Sequence, residues 1–296
     1  MGFTGELFAL LTAVLWSGSA LIFAAVTMRI TSVQVNILRL VIAEAYFGLW
    51  VLVWHLPFSL SLSQVVLLAL SGIVGLTLGD TFLFRAFQEI GARISMLLMT
   101  LAPAIGAGLA AVFLHESLGI WSVVGMLVTL SGVAIVMVER SPAGGARFNI
   151  SVRGIVLGLL AAAGQGIGLI LAKAAFREGA VDSFVATAVR IFAGLCILLP
   201  VAVVTDRRVF PAAEFRKHPW TLWLLMLGAL LGPFLGISTS LMAITWTSVG
   251  VASTIMSTVP VIMLPLARIF YGEKIHGKSI LGAVIAVAGV SFLFIQ

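Results

Sequence analysis

The fold of this 296-residue chain is decided by a stretch that occurs twice: LAPAIGAGLAAVFLHESL (residues 101–118) and TVPVIMLPLARIFYGEKI (residues 258–275). Each copy has a proline near its start and a glutamate near its end. Pro103 therefore matches Pro260, and Glu116 matches Glu273, 157 residues later. Each copy contains at most one charged residue before its glutamate. Two copies of one apolar segment indicate a chain built from two similar halves.

The repeat continues on both sides of this stretch. Upstream the offset narrows to 149 residues between Gly5 and Gly154 and to 151 residues between Arg39 and Arg190, as small insertions in loops would cause. At the 157-residue offset the further matches are Gly79 with Gly236, Ala86 with Ala243, Gly125 with Gly282, and Gly132 with Gly289. The whole chain is therefore interpreted as a duplication.

Composition identifies both halves as membrane-spanning. Hydrophobic residues make up 61% of the chain and charged residues 9%, whereas a soluble domain carries about 25% charged residues. Breaks at charges, prolines and polar clusters predict ten apolar segments, each of roughly the 20 residues that a spanning helix needs. They lie near residues 5–27, 33–54, 65–87, 94–114, 120–138, 153–175, 182–204, 220–243, 250–270 and 278–295.

These segments predict an all-α membrane protein with ten transmembrane helices in two five-helix repeats. The first repeat covers residues 1–140, a polar linker covers 141–151, and the second repeat covers 152–296. Because five crossings are an odd number, the second repeat must be inverted relative to the first. Inverted repeats are a known way to build a transporter, with the substrate site where the repeats meet.

Basic residues are unevenly distributed between the two sides. Loops after even-numbered spans contribute little beyond Lys173 and Arg177. Loops after odd-numbered spans contain Arg29, Arg85, Arg93, Arg140, Arg147, Arg153, Arg207, Arg208, Arg216, Lys217, Arg268, Lys274 and Lys278. Because basic loops stay in the cytoplasm, this bias predicts that the linker is cytoplasmic and that both termini are outside.

The repeated pattern resembles a known family. An arginine early in the second span (Arg39, Arg190) precedes a proline within the fourth span and a glutamate in the connection after it. The closing span of each half then carries two glycines seven residues apart. Occurring twice, this pattern is similar to the ten-helix EamA-like branch of the drug/metabolite transporter superfamily, over essentially the whole chain.

The resemblance implies a secondary transporter of small metabolites, often an amino-acid exporter, without a bound cofactor. Among the relatives, the aromatic amino-acid exporters are the ones we suspect. The family usually has both termini in the cytoplasm, which conflicts with the charge bias. We follow the charge bias because it is read from this chain.

Polar residues deep in the spans are candidates for substrate binding because they are costly in lipid, and aromatic and thioether side chains are candidates for the pocket wall around them. They are Trp16, Asp80, Phe84, Gln88, Met99, Gln165 and Met256. Trp16 and Gln165 occupy matching positions in the first span of each repeat. The residues at 80, 84 and 88 share one helix face, and methionines suit a pocket that accepts several apolar side chains. Ordinary helix packing is the alternative for the tryptophan and the methionines.

Three further charged residues are predicted to support the site. Arg39 and Arg190 either pair with a carboxylate or lipid phosphate, or hold a substrate carboxylate. Glu44 lies near mid-span and, like Asp80, is a candidate carrier of a coupling proton. GxxxG pairs at Gly75–Gly79 and Gly232–Gly236 predict a close contact between the third and eighth spans.

The sequence therefore predicts a transporter that exports small metabolites, and amino acids above all, across the bacterial inner membrane by alternating access. The alternatives are a sugar or nucleotide-sugar carrier, or a membrane protein with a structural role and no transport. Expected partners are a small-molecule substrate and the lipid bilayer, with no nucleic acid, and the chain is expected to be a monomer or a weak homo-oligomer. No nucleophile–base pair or metal-ligand cluster is recognisable, so we predict that it is not an enzyme and binds no metal.

Overall fold

The structure is a computed structural model in which all regular structure of the described residues is helical. The described residues are 3–27, 29–54, 60–139, 151–205, 210–271 and 277–293. The helices are α1 (Thr4–Thr27), α2 (Ser32–Trp54), α3 (Leu62–Gly72), π1 (Ile73–Gly79), α4 (Asp80–Met99), α5 (Ala102–Phe113), α6 (Ile120–Glu139), α7 (Val152–Arg177), α8 (Ser183–Thr205), α9 (Ala212–Lys217), α10 (Trp220–Ala229), π2 (Leu230–Gly236), α11 (Ile237–Trp246), α12 (Val249–Met256), α13 (Val259–Tyr271) and α14 (Gly277–Leu293). The predicted linker lies outside the described residues apart from Ser151, whose hydroxyl caps α7.

Among the described residues, six helical stretches are long and apolar enough to cross a membrane. They are Thr4–Phe23, Val33–Trp54, Leu62–Leu83, Val152–Arg177, Ser183–Val204 and Trp220–Trp246. Four shorter apolar stretches are Ala102–Phe113, Ile120–Val136, Val249–Met263 and Gly277–Leu293. Each of the ten overlaps one predicted span. The prediction of an all-helical membrane protein is thus confirmed, and the crossing of all ten is part of the proposal below.

The fifth span of each repeat packs against its own copy. A Cβ on Gly132 of α6 would strike the backbone of Ala286 in α14, and Gly125 faces Gly289 in the same way. Position 125 therefore meets the end of α14, whereas Val136 meets its start at Gly282. The two matching helices run antiparallel, which is the relation that an inverted repeat predicts.

The first helix of each repeat packs against the third span of the other repeat. In α1, Trp16 contacts Gly236 and Ser19 contacts Gly232, while in α7 Gly168 contacts Gly75. The GxxxG glycines thus serve a different contact from the predicted one between the third and eighth spans. That prediction was wrong because glycine spacing marks a close approach without identifying the partner helix.

The bundle has two ends, which we name after residues that lie there. At the Glu116 end, Gly5 at the start of α1 meets Thr247, and Lys173 near the end of α7 donates to the Thr247 carbonyl. At the Arg29 end, the Arg29 guanidinium that follows α1 stacks on Trp220, the first residue of α10. All interior positions can be placed between these two ends.

The chain reverses between the third and fourth spans at matching places. In the second repeat, α11 ends at Trp246 and the Ser248 hydroxyl caps α12. In the first repeat the backbone of α4 is helical to Met99, beyond the predicted end of the third span at residue 87. Along α7, Gly79 contacts Gly164 and Ile90 contacts Gly154, which lies further towards the Arg29 end. Leu98 contacts Gly158, back in the opposite direction, so the chain direction reverses between Ile90 and Leu98.

Candidate functional site

A cavity of about 310 Å³ lies between the two repeats, near the middle of the bundle. Both repeats contribute to its wall through their first, third and fourth spans. The wall reaches Phe23, Leu83 and Met99, which lie towards the Arg29 end. The volume is within the range of small-molecule sites, which begins at about 300 Å³.

Both fourth spans are broken at this cavity. α4 ends at Met99 and α5 begins at Ala102, while α12 ends at Met256 and α13 begins at Val259. A proline follows each break as the second residue of the new helix, where its missing N–H is tolerated. Helices interrupted at a binding site near mid-membrane are typical of secondary transporters.

Both third spans contain a seven-residue π-helical segment on the cavity side, at positions related by the same 157-residue offset. Leu76 of π1 and Pro233 of π2 line the cavity. Single π-helical turns inside α-helices often mark functional sites. Sequence reasoning missed these segments, although Pro233, which cannot donate a backbone hydrogen bond, was a signal for an irregular turn.

Arg39 and Asp80 form an ion pair on the cavity wall. Nη2 of Arg39 donates to Oδ2 of Asp80 at 2.5 Å, and its Nε donates to Oδ1 of Asn36 at 2.9 Å. Both charged side chains are less than one-fifth exposed. The guanidinium also lies over the ring of Phe23, 5.8 Å from its centroid. This wall therefore offers a neutralised arginine and a carboxylate that can accept further hydrogen bonds.

Arg190, the counterpart of Arg39, has a different environment. It is only 2% exposed, and its Nε and Nη1 have no hydrogen-bond partner among the described residues. Asp80 is close enough to interact with it electrostatically. The buried Oε2 of Glu44 likewise has no partner in the described part of the chain. Neither Arg190 nor Glu44 lines the cavity.

The structure brings most of the predicted site residues together. Six of them line the one cavity: Trp16, Arg39, Asp80, Met99, Gln165 and Met256. The side chains of Phe84 and Gln88 lie outside the described residues. Substrate binding by these residues stays a prediction. Ser19 and Phe23, one and two turns along α1 from Trp16, also line the cavity, and the helical spacing from Trp16 was a signal that could have found them.

A polar network closes the Glu116 end of the bundle. The Glu116 carboxylate, 9% exposed, accepts from Nζ of Lys173 at 2.7 Å and from the backbone N–H of Val249 at 3.1 Å. Arg177 adds a longer contact of 3.4 Å, and Lys173 also donates to the Thr247 carbonyl at 2.6 Å. This Glu116 network ties the first repeat to two helices of the second.

Aromatic side chains pack between α2, α8 and π2 in the same half of the molecule. Phe47 and Phe234 have ring centroids 4.7 Å apart, and Trp50 stacks on Phe184 at 4.8 Å. Tyr46 meets the edge of Phe234. Polar and aromatic contacts thus join the helices in the half of the molecule near the Glu116 end, whereas the cavity occupies the middle and extends towards the Arg29 end.

Comparison with known proteins agrees with this architecture. The chain is similar to a solved protein described only as "Crystal structure of protein", with a TM-score of 0.80 and 20% identity over 98% of this chain and 96% of that chain. This likeness shows the fold alone. No curated protein matches the chain. The sequence profile of the EamA-like transporter family matches twice, over residues 3–138 and 152–295. Because these two matches cover nearly the whole chain, the protein belongs to the EamA-like transporter family.

Proposed function

We propose that this protein is a secondary transporter that exports small metabolites, and amino acids above all, by alternating access. Its family makes it a membrane transporter of the drug/metabolite type. The observation that carries the proposal is a cavity between two repeats whose wall lies in the middle of the bundle and towards the Arg29 end, with the Glu116 network on the other side. A site that faces one side of the membrane at a time is the structural requirement of alternating access.

The mechanism we propose is an exchange of roles between two inverted repeats of five spans each. Matching helices run antiparallel at the α6–α14 contact, so one repeat can adopt the arrangement of the other with the opposite side open. The breaks in the fourth spans, before Pro103 and Pro260, provide the hinges. The Glu116 network and the aromatic contacts have to separate during the exchange.

The chemistry of the cavity favours a small zwitterion over a sugar. Its wall combines the Arg39–Asp80 pair with the rings of Trp16 and Phe23 and with methionine side chains. Asp80 can accept from an ammonium group, and the rings and thioethers can hold an apolar side chain. A sugar or nucleotide-sugar carrier would need several Lys, Tyr or Asn side chains, and none is among the described wall residues.

We place the protein in the bacterial inner membrane, as a monomer or weak homo-oligomer, with the linker in the cytoplasm. A cysteine at Gly144 in a Cys196→Ala background should then resist an impermeant thiol reagent in whole cells and react after lysis. In this orientation the Arg29 end is cytoplasmic, so the cavity reaches towards the side where an exported substrate loads. Rapid labelling in whole cells would instead favour cytoplasmic termini.

The proposal is tested by growth and by flux. Cells that express the protein should tolerate an excess of a single amino acid better than cells without it, for at least one of the twenty. Purified protein in liposomes should then exchange that radiolabelled amino acid for unlabelled amino acid on the other side. Leu52→Ala, which changes a lipid-exposed side chain that is 72% exposed, is the matched control. Absence of exchange for all twenty would contradict amino-acid transport.

A further inference from the structure

The buried guanidinium of Arg190 is the starting point. At 2% exposure it lies in the half of the bundle near the Glu116 end, one and a half to two turns into α8, with Nε and Nη1 lacking partners among the described residues. A buried charge without a hydrogen-bonded counter-charge is strongly unfavourable. Asp80 interacts with Arg190 electrostatically but is hydrogen-bonded to Arg39, so an anion that accepts from Nε and Nη1 of Arg190 would stabilise the buried charge.

Comparison of the two repeats identifies the group that Arg190 lacks. In the first repeat, Asp80 stands one residue after π1 and pairs with Arg39. In the second repeat the position after π2 is Ile237, which lines the cavity. The second repeat therefore keeps the arginine and lacks the carboxylate.

The guanidinium of Arg190 is close to the cavity although it does not line it. An atom placed as Cβ on Gly75 would lie 3.7 Å from Nη2 of Arg190 and 3.5 Å from Oε1 of Gln165. Because Gln165 is a wall residue, the guanidinium lies directly behind the cavity wall. If the repeats exchange roles, Arg190 takes the wall position that Arg39 occupies in the present state.

We propose that Arg190 binds a carboxylate of the transported molecule, in the place that Asp80 takes opposite Arg39. The substrate class is then a small carboxylate-bearing metabolite, either a zwitterionic amino acid or a monocarboxylate. Arg39, already paired with Asp80, is left to support the wall. This inference rests on the proposed function and adds to it the group that recognises the substrate.

A panel of four probes with one phenyl ring tests the ligand side on the purified full-length protein. Phenylalanine and 3-phenylpropanoate carry a carboxylate, whereas phenylalaninamide and 2-phenylethylamine do not. We expect both carboxylates to bind at least tenfold more tightly than the other two in calorimetric titration. Tight binding of phenylalanine alone identifies the zwitterion as the ligand, and equal binding of the two carboxylates identifies the monocarboxylate group. Equal binding of phenylalanine and its amide, or no binding of any probe, overturns the proposal.

Matched variants test the protein side. Ile237→Asp installs the missing carboxylate and should weaken phenylalanine binding at least tenfold relative to Ile237→Asn, which has the same shape without the charge. Arg190→Met should remove the preference for carboxylates over the amide. Because Ile237→Asp and Ile237→Asn are compared with each other, the test remains valid if Arg190→Met fails to fold. Equal affinities of these two Ile237 variants would overturn the proposal.

Binding and flux separate this inference from the proposed function. Carboxylate-selective binding that depends on Arg190, without exchange in liposomes, supports the inference and contradicts transport. Exchange of amino acids with wild-type affinity in Arg190→Met contradicts the inference and leaves transport supported.

Discussion

The two repeats share a backbone plan and differ in their charges. Both have a π-helical segment in the third span and a break in the fourth, at positions related by one offset. The charged groups do not follow this symmetry. Asp80 pairs with Arg39, whereas Ile237 leaves Arg190 without that partner. Lys173 binds Glu116 at one end, while the residue that matches Lys173 in the first repeat is Ala24.

This difference separates two requirements of a transporter. Backbone symmetry supplies two conformations of similar energy, because each repeat can take the shape of the other. Charge asymmetry then decides which conformation is preferred and which ligand is accepted, since a ligand shifts the equilibrium only through its different affinities for the two states. Substitutions at matched positions should therefore have equal effects where the repeats agree and unequal effects where they differ.

The largest difference is expected between the two arginines. Arg39→Met removes the hydrogen-bonded partner of the largely buried Asp80 carboxylate, and loss of one partner of a buried pair costs about 3–5 kcal/mol of unfolding free energy. Arg190→Met removes a charge that Asp80 attracts but whose Nε and Nη1 have no hydrogen-bond partner among the described residues, so it should cost much less stability than Arg39→Met. Unfolding midpoints of the two variants in detergent are the measurement. Destabilisation of similar size in both would show that Arg190 has a stabilising partner and would remove the asymmetry.

Where the repeats agree, matched substitutions should agree as well. A Cβ on Gly132 would meet the backbone of Ala286, and a Cβ on Gly289 would meet the backbone of Thr129. Backbone atoms cannot move aside as a flexible side chain can, so Gly132→Ala and Gly289→Ala should each cost about 3 kcal/mol, near the upper end for overpacking. Thermal unfolding of both variants checks this.

Gly108→Ala is the control for these two glycines, because nothing lies within 4 Å of its added methyl group. It should be neutral or slightly stabilising, since alanine favours a helix over glycine. Clearly unequal losses of unfolding free energy in Gly132→Ala and Gly289→Ala would contradict the symmetric packing of α6 and α14.

Much of the fold could be predicted from the sequence because a duplication is visible in one chain. The offset between Pro103 and Pro260 located the broken fourth spans, and apolar length located the helices. Depth along a helix follows from residue number alone. The predicted wall residues were chosen for their similar depth, and six predicted site residues line one cavity.

Pairing between distant helices could not be predicted in this way. The 157-residue repeat does not reveal that Gly75 faces Gly168, or that Glu116 reaches Lys173 across 57 residues of sequence. Helix periodicity indicates which face is apolar, but several neighbours can cover the same face. The missing partner of Arg190 likewise depends on packing between repeats, for which one sequence carries no signal.

A smaller effect is expected at the Glu116 end. Glu116→Gln removes the charge that accepts from Lys173 and from the Val249 N–H. Hydrogen bonds to charged groups contribute about 1.5–3 kcal/mol. If the conformation with the Glu116 network formed loses about 2 kcal/mol of stability, the population in which this end is open should rise roughly thirtyfold. The rate at which a thiol reagent modifies Thr12→Cys, buried in α1 on this side, is the measurement in a Cys196→Ala background.

Glu178→Gln at the same end is the control for Glu116→Gln. Its carboxylate accepts from the Ser63 hydroxyl in an exposed contact, and exposed interactions contribute little. Equal labelling rates in both variants would mean that the Glu116 network does not hold this end closed.

The smallest effects are expected at the matching wall residues, Trp16 and Gln165. Trp16→Ala removes a ring that packs on Gly236 and faces the cavity, and the lost aromatic contact of about 1.5 kcal/mol should raise the KM for an aromatic substrate roughly tenfold. Gln165→Ala removes a neutral amide from the cavity wall, so a loss of about 1 kcal/mol of binding free energy should raise KM roughly fivefold. Because the two residues differ in chemistry, only Trp16→Ala should weaken binding of 2-phenylethylamine and 3-phenylpropanoate alike, whereas Gln165→Ala should weaken binding of the carboxylate probe alone.

Initial rates of transport in liposomes, with Leu52→Ala as the lipid-facing control, check both variants. Normal transport by both variants at equal expression would place the substrate outside the cavity, and the comparison of repeats would then concern stability alone.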